Sequence, residues 1–210
     1  MAGQVVTHLT RRAPDLVEAE RSDDRFCEIA IEVKVWMQAP PAVEVARPRR
    51  CPACGAAGHP LGGGPGLIGH GFRERHVRGP LADGEAPHAA TILLRRFRCR
   101  RCGAIVSVGP RGLLRRRLYA AASITLALAL WSARKQAPSR VREQISPWRA
   151  VGAAARGWQT LVRWAKAAVT GALWPTLRAR VGRVIALVAG HGPPDDPLEA
   201  RVMAGAVHVR

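Results

Sequence analysis

CPACG at residues 51–55 and CRRCG at residues 99–103 are two copies of one short motif. In each copy two residues separate a pair of cysteines, and a glycine follows that lets the chain curl back without a side-chain clash. Two such turns brought together present four thiolates at the corners of a tetrahedron, which suits Zn²⁺. The sequence therefore predicts one structural zinc ion, with these ligands: Cys51, Cys54, Cys99 and Cys102.

The segments around the second motif have strand character. TILLRRFR (91–98) precedes it and AIVSV (104–108) follows it, so the motif is expected at the tip of a β-hairpin, as in a zinc ribbon. FRERHVR (72–78) predicts another strand, and the glycine-rich stretch 55–66 predicts a loop. Because the spacing between the motifs is long for a minimal ribbon, an insertion is expected between its two halves.

Other uses of the cysteines stay open at this point. A redox pair usually stands alone near a βαβ pattern, and two structural disulfides are a further alternative. A catalytic zinc keeps an open position and normally has histidine or carboxylate ligands. Four histidines between the motifs can in principle supply one: His59, His70, His76 and His88. The fifth cysteine, Cys27, is expected to be a buried apolar residue.

The segment before the first motif alternates like a strand. In CEIAIEVKVW (27–36) the residues Ile29, Ile31, Val33 and Val35 share one parity, which predicts a strand with one buried face. QAPPA (38–42) interrupts it, and VEV (43–45) predicts a short partner strand. The first twenty-five residues are polar and predict a flexible N-terminus.

The charge is large and unevenly distributed. The chain has 33 Lys and Arg against 15 Asp and Glu, a formal net charge of +18. Residues 47–118 hold 15 basic and 3 acidic side chains, and residues 119–190 hold 11 and 1. Most of the cations are arginine, whose planar fork suits phosphate, so a polyanionic partner is expected.

No secretory signal opens the sequence, and the longest apolar stretch, residues 118–131, is shorter than the roughly 20 residues that a membrane-spanning helix needs. It predicts a buried core helix. The expectation is a cytoplasmic protein with no membrane association.

The second half of the chain has helical character. In RGWQTLVRWAKAAV (156–169) a helical projection places Trp158, Leu161, Val162, Ala165 and Val169 on one face, with Trp164 at the border. Its opposite face gathers Arg156, Gln159, Thr160, Arg163 and Lys166. In the major groove arginine reads guanine and glutamine reads adenine, so this face has the chemistry of a recognition helix.

SRVREQISPW (139–148) predicts a preceding helix with Ser139 as N-cap. Two helices in this order fit a helix-turn-helix whose core is closed by Ile124, Leu128 and Trp131. An ordinary three-helix bundle with a solvated basic face is the alternative, because the connector is longer than the usual turn. LRARVGRVIALVAG (177–190) predicts a further helix, and the last thirteen residues predict a short helix or a frayed end.

The CPxCG motif, the run RRFRCRRCG and the tryptophan-containing helices resemble the N-terminal region of bacterial insertion-sequence transposases. Short uncharacterised bacterial proteins carry a similar module without a nuclease. The resemblance implies zinc on the four cysteines and docking on duplex DNA such as element ends. The resemblance does not extend to catalysis. Transposases cut DNA with three carboxylates in a long nuclease domain, so this chain is not expected to be a self-sufficient transposase. After residue 118 this chain has only Glu143, Asp195, Asp196 and Glu199.

No P-loop, GxSxG or HExxH motif supports another enzyme. The expectation is therefore a non-catalytic DNA-binding protein without a small-molecule substrate, either a mobile-element accessory or an orphan regulator. A second copy or a transposase subunit would be its protein partner. An RNA-binding or protein-interaction module without base readout is the alternative, although between the two cysteine motifs the chain has only Phe72 and Phe97 as aromatic residues for stacking.

The expected fold class is α+β, with a β-rich zinc ribbon followed by an all-α, helix-turn-helix-like bundle. The expected units are residues 1–25 (flexible), 26–112 (ribbon), 113–190 (helical) and 191–210 (tail or short helix). The expected nucleic-acid contacts are Arg95, Arg96, Arg98, Arg100, Arg101, Arg156, Gln159, Arg163 and Lys166.

Overall fold

A computed structural model describes residues 25–152 and 156–209. The described chain begins with a four-stranded sheet made of β1 (Phe26–Glu32), β2 (Leu67–Arg78), β3 (Ala89–Cys99) and β4 (Ile105–Arg111). The strand order is β1-β4-β3-β2, with β1 parallel to β4 and the other pairs antiparallel. The α+β class is confirmed. The predicted flexible N-terminus lies, apart from Arg25, outside the described residues.

Seven helices occur in the described residues. Two short ones, α1 (Val33–Gln38) and α2 (Val43–Ala46), lie between β1 and β2. The others follow the sheet: α3 (Ala121–Ser132), α4 (Pro138–Ile145), α5 (Gln159–Val169), α6 (Val181–Ala189) and α7 (Leu198–Gly205). Residues 121–130 of α3 are all buried, and α3 contacts each of the four later helices. The apolar stretch is therefore a core helix, as predicted. In the described part of the chain, every helix is too short or too polar to cross a membrane.

The predicted strand through residue 36 is wrong in its second half. The chain leaves the sheet after Glu32 and forms α1. In an extended strand Val33 and Trp36 would face opposite sides, whereas three residues apart on a helix they share one face. Both are buried, Trp36 is 1% exposed, and its Nε1–H donates a hydrogen bond to the carbonyl oxygen of Leu93 at 2.8 Å. Val35, expected to be buried, is exposed.

The predicted strand at residues 43–45 is also wrong, because this stretch is the helical turn α2. The turn buries Ala46 completely and leaves Val45 exposed. It also brings Glu44 within reach of the guanidinium of Arg47, with which it forms an ion pair. Tertiary packing of a small residue and a local ion pair outweigh the β-propensity of two valines.

The three strands predicted around the cysteines are confirmed. β2 begins earlier than predicted, because a bulge between Gly69 and Phe72 allows the pairing with β3 to continue to Leu67. The helix predicted at residues 139–148 is shorter, and Ser139 is not its N-cap. Ala137 takes that position with Pro138 in the first turn, where a missing backbone N–H costs nothing.

The sheet packs against the connector that leads into the helical bundle. Leu113 and Ala120 of this connector lie in one buried cluster with Val77 and Ile92 of the sheet. The hydroxyl of Ser123 donates a hydrogen bond to the carbonyl oxygen of Pro80 at 2.7 Å. The division after residue 112 stays a prediction, and these contacts cross it.

Candidate metal centre and basic surfaces

The two cysteine motifs fold into the same turn. The carbonyl oxygen of Cys51 accepts a hydrogen bond from the N–H of Gly55 at 2.8 Å, and that of Cys99 accepts one from Gly103 at 2.9 Å. Both glycines have φ of +71°, a conformation that side chains disfavour. The glycine that closes each motif is therefore required by the turn.

A second hydrogen bond repeats as well. The N–H of Cys51 donates to the carbonyl oxygen of Ala56 at 2.8 Å, and the N–H of Cys99 donates to that of Ala104 at 2.9 Å. The second turn joins β3 to β4, as a ribbon hairpin would. The first turn is tied to it through the loop that follows, where the N–H of Arg100 donates to the carbonyl oxygen of Gly66 at 2.9 Å.

The four predicted cysteines come together. All their sulfurs lie within 4.8 Å of one another. Each first cysteine faces the second cysteine of the other motif, with 3.8 Å between the Sγ atoms of Cys51 and Cys102 and 3.7 Å between those of Cys54 and Cys99. Four sulfurs about 2.3 Å from a common ion in a tetrahedron lie about 3.8 Å apart. The quartet, meaning these four sulfurs, can hold one metal ion.

The quartet lies half inside the core of the sheet. Cys51 and Cys99 are each 1% exposed and belong to a buried cluster with Trp36 and Phe97, whereas Cys102 is exposed. The inner thiols are therefore positioned by packed aromatic rings, and the outer one lies at the protein surface.

The thiols differ in acidity. Burial by itself would raise the pKa of Cys99, but its sulfur accepts hydrogen bonds from the amides of Cys102 and Arg101. Those bonds, together with the thiols of Cys102 and Cys54, lower the pKa of Cys99 to about 7. Desolvation of the Cys102 sulfur raises the pKa of that thiol to about 12, and the hydrogen bonds that it makes to the other three sulfurs add to the rise. The backbone amides thus favour a thiolate at Cys99 before any metal binds.

The other candidate ligands lie elsewhere. Cys27 is half-buried in β1, outside the quartet, and burial raises the pKa of its thiol. The ring of His59 lies against Arg47 at 2.9 Å, and His76 hydrogen-bonds to the Thr91 hydroxyl at 3.1 Å. Among the described residues, the cysteine quartet is the one group of three or more His, Cys, Asp or Glu side chains close enough together to hold a metal ion.

The arginines predicted in the ribbon have different environments. Arg95 is engaged within the protein, since its Nε–H donates to the carbonyl oxygen of Pro41 at 2.6 Å and its guanidinium lies 4.5 Å from the centroid of the Phe72 ring. Successive side chains of β3 point to opposite faces of the sheet, so Arg96 and Arg98 project from the face opposite Arg95. Arg100 and Arg101 are exposed in the second cysteine turn.

The helix predicted at residues 156–169 is α5, which begins at Gln159, and its polar face is in solvent. Gln159, Arg163 and Lys166 are exposed, and Arg156 is exposed just before the helix. The apolar face is rotated from the prediction, because Trp164 is 2% exposed whereas Val162 is 55% exposed.

The rotation has a tertiary cause. Trp164 packs against Tyr119, with 4.9 Å between the ring centroids, and against Trp158 at 5.0 Å. A helical projection of α5 alone shows two adjacent apolar stripes, and only the aromatic partner selects between them.

Cations that the sequence analysis did not select surround Arg96. They are Arg73 and Arg75 of β2, Arg25, and three consecutive residues of the connector before α3, namely Arg115, Arg116 and Arg117. Arg73 and Arg75 share one parity in a predicted strand, so their common face was readable from the sequence. Nothing in the sequence places the connector arginines over that face.

Comparison with models of protein families, with curated proteins and with solved structures finds no match for the chain. The resemblance to transposases therefore stays a prediction.

Proposed function

We propose that the chain is a non-catalytic, zinc-stapled protein that binds duplex DNA and reads bases with α5. The observation that carries the proposal is the exposed face of α5, which holds Gln159, Arg163 and Lys166, while the buried face fixes the helix on the bundle through Leu161 and Trp164. In B-DNA the major groove admits an α-helix, and arginine and glutamine discriminate bases there by paired hydrogen bonds.

Zinc is the ion that best fits the quartet. Four sulfur ligands in a tetrahedron are typical of structural zinc sites, which are closed to substrate. Cys51, Cys54, Cys99 and Cys102 would hold it, and the ion would supply folding free energy. A zinc ion with four thiolates would carry a formal charge of about −2. The two positively charged arginines of the second cysteine turn would partly neutralise that charge.

The charge pattern around α5 supports a polyanionic partner. The sequence contains no carboxylate between Glu143 and Asp195, a segment that includes all of α5 and α6. A helix face without carboxylates does not repel phosphates, and it keeps a positive potential at the distance of a groove wall.

The exposed aromatic rings favour duplex DNA over single-stranded RNA. Among the described aromatic residues, Phe72 and Trp148 are the large exposed ones, at 44% and 47%. Each already has a guanidinium over its ring, from Arg95 at 4.5 Å and from Arg78 at 4.3 Å. A guanidinium over one face leaves only the other face of each ring for a base, and two such rings fall short of the successive stacking platforms that single-strand binders use.

The test is selection of bound duplexes from a random DNA pool at about 0.15 M salt, where weak phosphate-only binding is suppressed. The zinc-loaded protein should enrich a defined motif, and so should Arg183→Ala, a control that removes one exposed charge from α6. The double variant Gln159→Ala, Arg163→Ala should lose the motif and keep salt-dependent binding. Retention of the motif by the double variant would rule out α5 as the reader. Absence of enrichment by the wild-type protein would favour the alternative module that holds phosphates or a protein partner without base readout.

A mobile-element role extends the proposal. If the selected motif lies at the ends of an insertion element near the gene, the chain acts as an accessory beside a transposase subunit. If it lies in promoters, the chain acts as a regulator.

A further inference from the structure

A groove of about 980 Å³ crosses the face of the sheet opposite Trp36. Its floor includes Arg73 and Arg75 of β2 and Arg96 of β3, which share this face because Arg73 pairs with Leu94, two positions before Arg96. The connector between β4 and α3 forms one wall. The groove is separate from the exposed face of α5 and from the cysteine quartet.

The groove concentrates positive charge. Seven of its lining residues are arginines, and Glu74 is its one lining carboxylate. Burial lowers the pKa of the Arg75 guanidinium, and the neighbouring Arg73 lowers it further against the attraction of Glu28. Gathering like charges in one concave surface costs free energy that a bound anion would recover.

Specific contacts hold the wall in place. The Nη2 group of Arg75 donates hydrogen bonds to the carbonyl oxygens of Leu114 at 2.5 Å and Arg117 at 3.0 Å. The same guanidinium lies 5.4 Å from the ring centroid of Phe26. The connector also extends the sheet, because the N–H of Arg78 donates to the carbonyl oxygen of Leu118 at 2.9 Å. Arg75 is thus a positioning residue that fixes the connector arginines over the floor before a ligand arrives.

The backbone of the wall is strained at its centre. Arg116 has a backbone φ of +55°, a value that residues other than glycine rarely adopt. Such strain persists where the surrounding structure over-determines it, and it clusters at ligand-binding segments.

We propose that this groove is a phosphate-binding site that takes a run of phosphates along the sugar–phosphate backbone of a nucleic acid. Guanidinium groups bind phosphate through paired, charge-assisted hydrogen bonds, and arginines from two strands and a facing connector can engage successive phosphates. The choice of nucleic acid as the source of the phosphates rests on the proposed function, whereas the phosphate site itself does not. Free polyphosphate has the same chemistry.

The test compares two double variants with equal loss of charge. Arg73→Gln, Arg96→Gln alters the groove, and Arg180→Gln, Arg183→Gln alters exposed arginines of α6 and its start, outside the groove. Binding is measured for a fluorescent 20-base-pair duplex across a salt series and for inorganic tripolyphosphate by calorimetry. Arg73→Gln alone, at an exposed position, is the fallback if the groove pair folds poorly.

The groove pair should bind the duplex at least about tenfold more weakly near 0.1 M salt, with a salt slope smaller by about 1.8, because two phosphate contacts are lost. The control pair should show a smaller loss of affinity for the duplex and a smaller change in the salt slope than the groove pair. Equal losses of binding in both pairs would overturn the proposal. A wild-type protein that binds neither the duplex nor tripolyphosphate would also overturn it. Binding of tripolyphosphate that only the groove pair loses, with no duplex binding, would refute the proposed DNA function and keep the phosphate site.

Discussion

Replacement of Cys99 by serine should release the metal and destabilise the whole sheet. Cys99 ends β3 and pairs with Leu67 at the start of β2. Its sulfur lies in the buried cluster with Trp36 and Phe97. The hydroxyl of serine is a poor zinc ligand beside thiolates, and three cysteines leave the coordination shell open.

The magnitude follows from the length of chain that the metal ties. Cys51 and Cys99 are 48 positions apart. Treated as a cross-link, a tie across a loop of that length removes about 4 kcal/mol of chain entropy from the unfolded state. Domains are stable by only about 5–15 kcal/mol in total, so this loss is a large fraction. For a chain of about 200 residues it corresponds to a fall in melting temperature of roughly 8–16 °C.

The assay is thermal melting of the zinc-loaded protein, with the metal content measured on the same samples. Cys27→Ser is the matched control, because Cys27 is half-buried beside the same cluster but lies outside the quartet. It should keep one zinc per chain and lose about 1 kcal/mol or less. Hydrogen exchange of the amides of Gly55 and Gly103 should accelerate in Cys99→Ser and stay slow in the control. A Cys99→Ser protein that keeps its zinc and its melting temperature would refute the metal assignment.

Two further pairs of substitutions test the packing that positions these surfaces. Gly58→Ala should destabilise the first cysteine turn by about 1–3 kcal/mol and weaken zinc binding, because a Cβ there would lie 2.0 Å from a backbone carbonyl oxygen. Gly63→Ala in the same loop meets only an ordinary contact at 3.6 Å and should be nearly neutral in a chelator titration. Trp164→Ala should cost about 3–5 kcal/mol in denaturant unfolding, whereas Val162→Ala on the exposed side of α5 should cost under about 0.5 kcal/mol. Equal costs at the two positions would contradict the burial of Trp164 and the exposure of Val162, and with them the rotation of the apolar face.

The convergence of the cysteines was predictable because its determinants are local. Each motif contains its own glycine for the left-handed turn, and the second motif lies between two short runs of β-branched and apolar residues. The buried helix α3 was predictable for a similar reason, since a long run of alanine and leucine needs no knowledge of its neighbours to be assigned to the core.

The elements that sequence reasoning missed depend on distant partners. Trp36 is helical because Leu93, 57 positions away, supplies an acceptor for its indole. Trp164 is buried because Tyr119 lies opposite it. The connector arginines reach the groove because Arg75 of β2 donates hydrogen bonds to the carbonyl oxygens of Leu114 and Arg117 at the two ends of that stretch. None of these pairings leaves a periodic signal in its own segment, and only the fold supplies them.

The cysteine quartet and the arginine groove are linked by the register of the sheet. Side chains alternate along β3, whereas the bulge between Gly69 and Phe72 shifts the register of β2 by one residue, so that Leu67 faces the quartet side and Arg73 faces the groove. The pairing of Cys99 with Leu67 places the quartet at the end of the β2–β3 ladder, and further along the same ladder Arg73 pairs with Leu94, two positions before Arg96. A metal bound at Cys99 would fix this end of the ladder, so a slip that separates Arg73 from Arg96 would require the bulge to be lost or a second bulge to form. A metal at the quartet would thus maintain the proposed phosphate site from the far end of the ladder without touching the ligand, and metal removal and groove substitutions should impair the same binding step.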